Sequence, residues 1–189
     1  MCYLCLTSSI GLAQIDVSES MDHELGPGFA IPNNTSRFTG SMNNHISGQE
    51  NILSYKNHQY IAFYNDERKV VVGRRDLCGD LWELLVLDDY VQTLNDRHNH
   101  ISMGICEGDG TIHLTFDHHA HNLRYRVSTL GLAVNPEKYA WEASLFGPIQ
   151  NNLVEGMAEI RVTYPVFVSS KDGHLNFSWR KGGSGNGDS

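Results

Sequence analysis

The sequence predicts an all-β protein, a β-propeller of four-stranded antiparallel blades that is incomplete within this chain. Short apolar or alternating runs are bounded by Gly, Asn and Asp, whereas no apolar i, i+3, i+4 pattern persists beyond about two helical turns. One alternation that ends on an aromatic residue recurs at residues 60–64, 112–116 and 175–179. These runs start 52 and 63 residues apart, close to the length of a propeller blade. The repeat therefore favours a propeller over a β-sandwich.

The individual strands follow from these runs and from the polar turns between them. Turns at residues 65–68, 107–110 and 171–173 each separate two strand-like runs, as expected of antiparallel hairpins. The predicted strands are residues 60–64, 69–75, 82–87, 100–106, 111–116, 122–128, 159–168 and 174–180.

The length of the chain predicts about three blades. A blade takes about 50 to 60 residues, and closed propellers typically have four to eight blades. The sequence has 189 residues, and residues 182–189 are rich in Gly and Ser. Such a composition is typical of a flexible tail or of an interrupted domain. We expect the second, because the last repeat begins a blade without finishing it.

Residues 1–13 predict a secretory signal peptide, which leaves residues 14–189 as the propeller segment. A short apolar run ends in Gly11-Leu12-Ala13 and is followed by polar residues, although a positively charged start is missing. A first β-strand is the alternative. The signal peptide implies a secreted or periplasmic protein, in which Cys78 and Cys106 either pair or stay free thiols.

Charge and hydropathy exclude two classes of partner. Lys and Arg number 14 against 22 Asp and Glu, a formal net charge of −8, which argues against sequence-independent binding of nucleic acid. No segment after the first dozen residues approaches the roughly 20 apolar residues of a membrane helix. We therefore expect neither nucleic acid nor a membrane as a partner.

Two longer blocks resemble the BNR-repeat-containing family. They are residues 97–128, with Gly108-Asp109-Gly110-Thr111 in the turn, and residues 162–185, with Asp172-Gly173 in the turn. With residues 60–75 the similarity spans roughly residues 50–189. Members of this family include seven-bladed propellers that act as ulvan-type polysaccharide lyases. The resemblance therefore implies about three blades of seven, and a lyase that acts on an anionic, uronate-containing polysaccharide.

The resemblance also implies the site residues. The active site of such lyases combines two histidines, a tyrosine and an arginine, which fall by motif position on His98, His119, Tyr164 and Arg180. His118 is the alternative to His119 in the catalytic set. The candidate substrate-binding residues are His118, Asn99 and Arg126. Trp179 departs from the family, which more often has tyrosine before the arginine.

These residue types suit β-elimination. Arginine is always charged and grips a carboxylate with two parallel donors, so Arg180, helped by His119, is the candidate partner of the uronate. Histidine titrates near neutral pH, and tyrosine serves as an acid or a base beside a cation. His98 and Tyr164 are therefore assigned to proton abstraction and leaving-group protonation, in either order.

Several alternatives stay open. A sialidase-like glycoside hydrolase and a non-catalytic glycan-binding propeller both remain, although the hydrolase needs an arginine cluster that is not evident. No cofactor is required for the lyase reaction, and no residue is assigned as a metal ligand. A structural metal ion is an option because imidazole suits zinc and His118, His119 and His121 lie close in sequence. On an extended segment, however, successive side chains point to opposite faces.

Overall fold

The computed structural model describes residues 23–32, 40–43, 51–156 and 158–182, so the predicted signal peptide and residues 183–189 of the tail lie outside the described residues. Within these ranges the chain forms twelve strands and two one-turn 3-10 helices, Pro136–Lys138 and Ala143–Leu145. The strands are β1 (Ala30–Ile31), β2 (Gly40–Ser41), β3 (Ile52–Tyr55), β4 (His58–Tyr64), β5 (Lys69–Asp76), β6 (Glu83–Val91), β7 (Ile101–Cys106), β8 (Thr111–Phe116), β9 (His119–Asn122), β10 (Tyr125–Val127), β11 (Arg161–Ser169) and β12 (Leu175–Lys181).

In the described part of the chain the strands build four sheets, and every pairing is antiparallel. The sheets have the orders β3-β4-β5-β6, β10-β8-β7, β12-β11-β9 and β1-β2. The predicted all-β fold is therefore confirmed. Among the described residues no helix has the length and apolar character needed to cross a bilayer. The closure of a propeller and the number of its blades stay predictions.

The four-stranded sheet contains the first predicted repeat. Tyr60, Ala62 and Tyr64 of β4 share one face and are fully buried, as the alternation requires. They join Met103 of β7 and Leu114 of β8 in one core that spans the first and second sheets. The pattern missed β3, because its side chains are only partly buried or exposed and its sequence gives a weak apolar alternation.

The predicted strand 122–128 was wrong in one respect, because it divides between two sheets. β9 pairs with β11 of the third sheet, whereas β10 pairs with β8 of the second. The division falls between Asn122, the last residue of β9, and Tyr125, the first residue of β10. The second and third sheets consequently have three named strands each. Isolated bridges from Tyr125 to Gln150 and from Ser128 to Phe146 place residues 146–150 beside β10.

The second and third sheets pack tightly against each other at Gly104. A Cβ atom at this position of β7 would lie 2.5 Å from Cβ of Phe167 in β11 and 3.0 Å from Cδ2 of Leu175 in β12. Glycine is needed here for packing, since any side chain would overlap the neighbouring sheet.

The two described cysteines do not form a disulfide bond. Cys78 is exposed, and Cys106 is partly buried at the end of β7. The Cys106 thiol donates to the carbonyl oxygen of Gly173, 3.6 Å away in the turn between β11 and β12. The pairing of Cys78 with Cys106, one of the two alternatives that the sequence left open, is therefore not found in the structure.

Gly104→Ala is expected to lower the free energy of unfolding by about 1–3 kcal/mol, because the new methyl group forces β7 and β11 apart. Denaturant unfolding monitored by circular dichroism measures the change. Gly79→Ala is the matched control, since a Cβ there would lie no closer than 3.6 Å to its neighbours, and it should change stability little. Equal effects of the two substitutions would contradict the packing described for Gly104.

Candidate active site

Four of the predicted site residues come from four separate segments and lie together on one rim of the sheets. His98 is in the loop before β7, His119 begins β9, Tyr164 is in β11 and Arg180 is near the end of β12. The ring centroids of His98 and His119 are 4.6 Å apart, and those rings lie 6.0 and 5.8 Å from the Tyr164 ring. Cζ of Arg180 is 5.4 Å from the centroid of the same ring. We name these four residues and Asp96 the rim cluster.

Strand pairing through Thr163 accounts for the convergence. Thr163 of β11 is the register partner of His119 on one side and of Arg180 on the other. Its buried hydroxyl oxygen accepts a hydrogen bond from the Ala120 backbone N–H at 2.7 Å and donates to the carbonyl oxygen of Gly182. The threonine therefore fixes the strands that carry the imidazole and the guanidinium to the strand that carries Tyr164.

A bulge in β11 determines where Tyr164 points. The register of β11 shifts between Thr163 and Val166 against β12, and Tyr164 has φ 51°. This left-handed conformation is uncommon for a bulky residue, and the following Pro165 restricts its backbone further. Strained residues of this kind cluster at functional sites, and bulges near active sites re-aim a side chain.

Asp96 joins the two imidazoles of the rim cluster. Nδ1 of His98 donates to Oδ1 of Asp96 at 2.5 Å, and Nδ1 of His119 donates to Oδ2 at 2.7 Å. The His98 backbone N–H also donates to Oδ1, at 3.0 Å. Burial raises the pKa of Asp96, but these hydrogen bonds outweigh burial and hold the pKa below its ordinary value. The carboxylate is therefore ionised. When either imidazole is neutral and keeps its hydrogen on Nδ1, its Nε2 carries the lone pair that can accept a proton.

Sequence reasoning missed Asp96. The signal that identifies it is local: an aspartate two residues before a histidine accepts the histidine N–H in an Asx-turn.

The ligand atoms of Asp96, His98 and His119 all lie within 4.8 Å of one another, so this group has the composition to hold a metal ion. The predicted alternative of His118, His119 and His121 is less suited, because His118 is buried and its Nε2 already accepts the Arg124 backbone N–H.

Aromatic contacts surround the Tyr164 ring. The His119 ring lies nearly parallel to it, with an interplanar angle of 27°. The His100 ring, which is buried, lies 6.5 Å away at an angle of 13°. Arg180 completes the surroundings with a cation near the ring, an attractive cation–π arrangement. The phenol is thus held between imidazole rings and beside a positive charge.

The three predicted substrate-binding residues lie in the interior. The Asn99 side-chain amide donates to Oδ1 of Asp117 at 2.6 Å, and the backbone carbonyl oxygen of Asn99 accepts from the Tyr64 hydroxyl at 2.9 Å. Nε2 of His118 accepts from the Arg124 backbone N–H at 2.8 Å. Arg126 is 3% exposed and forms an ion pair with Asp89. The structure gives these side chains contacts within the protein and does not bring them into the rim cluster.

Comparisons with known proteins agree with this fold. Residues 58–189 match the sequence profile described as a BNR repeat-containing family member. Long isoforms of ulvan lyase from Pseudoalteromonas sp. (strain PLSV) and from Alteromonas sp. are 26% and 24% identical, over 72% and 92% of this chain. The chain spans only 17% and 22% of those two proteins, about a fifth of their length.

Solved structures of lyases have a similar fold. The polysaccharide lyase Uly1 superimposes with a TM-score of 0.61 and 22% identity, over 84% of this chain and 43% of that one. An ulvan lyase of family PL25 gives a TM-score of 0.51 at 13% identity, over 71% of this chain and 32% of its own. A second structure of a PL25 ulvan lyase, also at a TM-score of 0.51, is bound to -[GlcA(1-4)Rha3S]-. At these identities the likeness concerns the fold.

Acidification is expected to destabilise the fold through His118. Burial, with Arg124 as a further cause, lowers the pKa of this imidazole to about 3 from its ordinary value of 6.5. As the pH falls below 6.5, the unfolded chain takes up a proton that the folded chain accepts only near pH 3. The free energy of unfolding therefore decreases across this window, by up to about 1.4 kcal/mol per pH unit, and His118 adds no pH dependence above it.

Urea unfolding at a series of pH values measures this slope. His118→Gln can keep an oxygen acceptor near the Nε2 position for the Arg124 N–H but does not titrate, so its slope should be shallower. His174→Gln is the matched control at an exposed histidine and should keep the original slope. An unchanged slope in His118→Gln would show that another group is responsible.

Proposed function

The chain belongs to the BNR repeat-containing family, and from this premise we propose that it is part of a polysaccharide lyase. Its substrate is an anionic, uronate-containing polysaccharide of the ulvan type, which is cleaved by β-elimination. The observation that carries the proposal is the rim cluster. The rings of its two imidazoles and its phenol lie within 6.0 Å of one another, and the guanidinium carbon lies 5.4 Å from the phenol ring. These are the groups that the reaction requires.

The first requirement is to neutralise the carboxylate next to the reacting carbon. Removal of the adjacent proton creates an enediolate, which is doubly negative unless a cation compensates the carboxylate. Arg180 provides a permanent charge at the exposed edge of the rim cluster. The net charge of the chain is −8, so binding of an anionic polymer depends on such a local cation.

Asp96 divides the roles of the two imidazoles. One carboxylate offsets one positive charge, so the pair is suited to one imidazolium and one neutral ring. In the proposed mechanism His119 is the imidazolium and donates to the uronate carboxylate together with Arg180. His98 is the neutral ring and accepts the proton on Nε2.

Tyr164 completes the reaction as the general acid. A phenol carries its proton at neutral pH, and Tyr164 lies between the base and the cation. As His98 takes the proton from the carbon that bears the carboxylate, a carbon–carbon double bond forms and the neighbouring carbon–oxygen bond breaks. Tyr164 donates its proton to the leaving oxygen. Solvent then restores both groups, so no cofactor enters the proposed reaction.

The location follows from the substrate. A polysaccharide of this kind lies outside the cell and is too large to cross a membrane, so the proposal includes secretion or a periplasmic location.

Tyr164→Phe is expected to lower kcat by about 10²- to 10⁴-fold with a small change in KM, because only the proton donor is removed. The absorbance of the unsaturated product measures the rate on uronate polymers, with the protein at its full natural length. Tyr139→Phe is the matched control, since that hydroxyl donates to Leu130 on an exposed surface, and its rate should be unchanged. Full activity of Tyr164→Phe, or release of reducing ends without a double bond, would refute the proposal.

Asp96→Asn is expected to lower kcat by about 10²-fold with a smaller change in KM. The amide keeps one acceptor oxygen but loses the charge, so one imidazole loses the acceptor of its Nδ1–H. Nitrogen NMR should report loss of the fixed Nδ1–H tautomer. Asp96→Glu should recover part of the rate, and Asp172→Asn, in an exposed turn, should leave the rate unchanged. Equal loss in Asp96→Glu and Asp96→Asn with unaltered tautomers would exclude the positioning role.

A further inference from the structure

A second group of chemically reactive side chains lies at the turn of the β7–β8 hairpin. Cys106 ends β7, Asp109 is in the turn and His113 is in β8. Their thiol, carboxylate and imidazole ligand atoms all lie within 4.8 Å of one another. We name these three residues the turn cluster.

Strand register explains why the turn cluster converges. Cys106 is paired with Thr111, and Gly104 is paired with His113, so these side chains share one face of the hairpin. That face lies against the third sheet, where the His113 ring is 5.9 Å from the Phe167 ring. The shared face and the turn together direct three different ligand types to one point.

The turn cluster is separate from the rim cluster. The rim cluster lies where β7 begins, beside the stacked ring of His100, whereas Cys106 is the last residue of β7. Five residues of extended strand place the two ends about 16 Å apart. A ligand in the turn cluster therefore does not occupy the proposed active site.

A chain of hydrogen bonds orients the imidazole and the carboxylate. The Tyr125 hydroxyl donates to Nδ1 of His113 at 2.6 Å. Nε2 of His113 donates to the Thr111 hydroxyl oxygen at 2.7 Å, and this hydroxyl donates to Oδ1 of Asp109 at 2.6 Å. The side chains are therefore already held in position, which reduces the cost of ordering them around a ligand.

We propose that the turn cluster binds one divalent transition metal ion, with Zn²⁺ as the best match. Cys Sγ, His nitrogen and a carboxylate oxygen bind Zn²⁺ at about 2.0 to 2.3 Å, and a tetrahedral arrangement separates such ligand atoms by about 3.3 to 3.7 Å. Movements of about 1 Å bring the three groups to that spacing. A water molecule supplies the fourth ligand. Thiolate and imidazole are poor ligands for Ca²⁺ and Mg²⁺, which prefer oxygen.

Binding of the ion rearranges two protons. Nε2 of His113 binds the metal, its hydrogen passes to Nδ1, and Nδ1 then donates to the Tyr125 oxygen in the manner of an outer-shell partner. The Cys106 thiol releases its proton to solvent and breaks its contact with the Gly173 carbonyl oxygen. The hydroxyl of Thr111 keeps its hydrogen bond to Asp109.

The ion would act on the contact between neighbouring sheets. The Gly108 backbone N–H donates to the Gly173 carbonyl oxygen at 2.9 Å, so the β7–β8 turn and the β11–β12 turn touch beside the turn cluster. By fixing Cys106 and His113 of the flanking strands together with Asp109 of the turn, the ion stabilises the surface against which the β11–β12 turn packs. The site is thus structural, at the end of the sheets opposite the rim cluster.

Titration of the 189-residue chain with Co²⁺ tests the proposal, because a thiolate ligand gives a charge-transfer band in the near ultraviolet. We expect one equivalent of Co²⁺ to produce the band and Zn²⁺ to abolish it. Cys106→Ser should lose the band, whereas a chain with Cys2, Cys5 and Cys78 all changed to Ser should keep it. Tyr125→Phe should weaken binding by about 10- to 100-fold.

Further variants separate the two clusters and guard against misfolding. Asp96→Asn should leave the band and its stoichiometry unchanged, since it alters the rim cluster alone. If circular dichroism shows that Cys106→Ser does not fold, His113→Gln decides in its place and should bind Co²⁺ more weakly than Tyr125→Phe does. Absence of the band in the unmodified chain, or its persistence in Cys106→Ser, would overturn the proposal. Loss of the band in the triple Ser chain would do the same.

Discussion

The pairing of β9 with β11 is the constraint on which the rest of the site depends. β9 follows β8 after two residues, yet it joins the neighbouring sheet and leaves the sheet of β8. This transfer places His119 opposite Thr163, whose other register partner is Arg180. The bulge beside Thr163 then turns Tyr164 toward the imidazoles. Charge and acid–base groups from distant segments thus meet because one short strand changes sheets.

A buried carboxylate supports the point where the chain changes sheets. Asp117, between β8 and β9, is 1% exposed and has φ 63°. It accepts hydrogen bonds from Tyr90, Asn99 and Gln92, and Arg124 lies 3.6 Å away. Burying a charge is costly unless it is paired and hydrogen-bonded, and these donors meet that condition. They hold the left-handed turn that redirects the chain toward β11.

Sequence periodicity predicted the fold better than it predicted the site. Alternation located most of β4, β5, β7, β8, β11 and β12, because one face of each strand packs against a core. It did not find the transfer of β9 to the third sheet, which depends on the left-handed backbone at Asp117 and on a distant partner strand. The resemblance identified four side chains that do converge, whereas Asn99 and Arg126 are used as internal contacts. Asp96 escaped notice because its role arises from two rings that meet only after folding.

The strand exchange also has a consequence for the order in which the molecule is made. The first sheet joins strands that are consecutive in the chain, so it has all its partners once residue 91 has been synthesised. β9 has to wait for residues 161–163, roughly 40 residues after its own synthesis. Because a nascent chain grows from its N-terminus, the scaffold has the opportunity to form while the reactive groups are still apart. The groups that would perform the chemistry are thus among the last to be brought together.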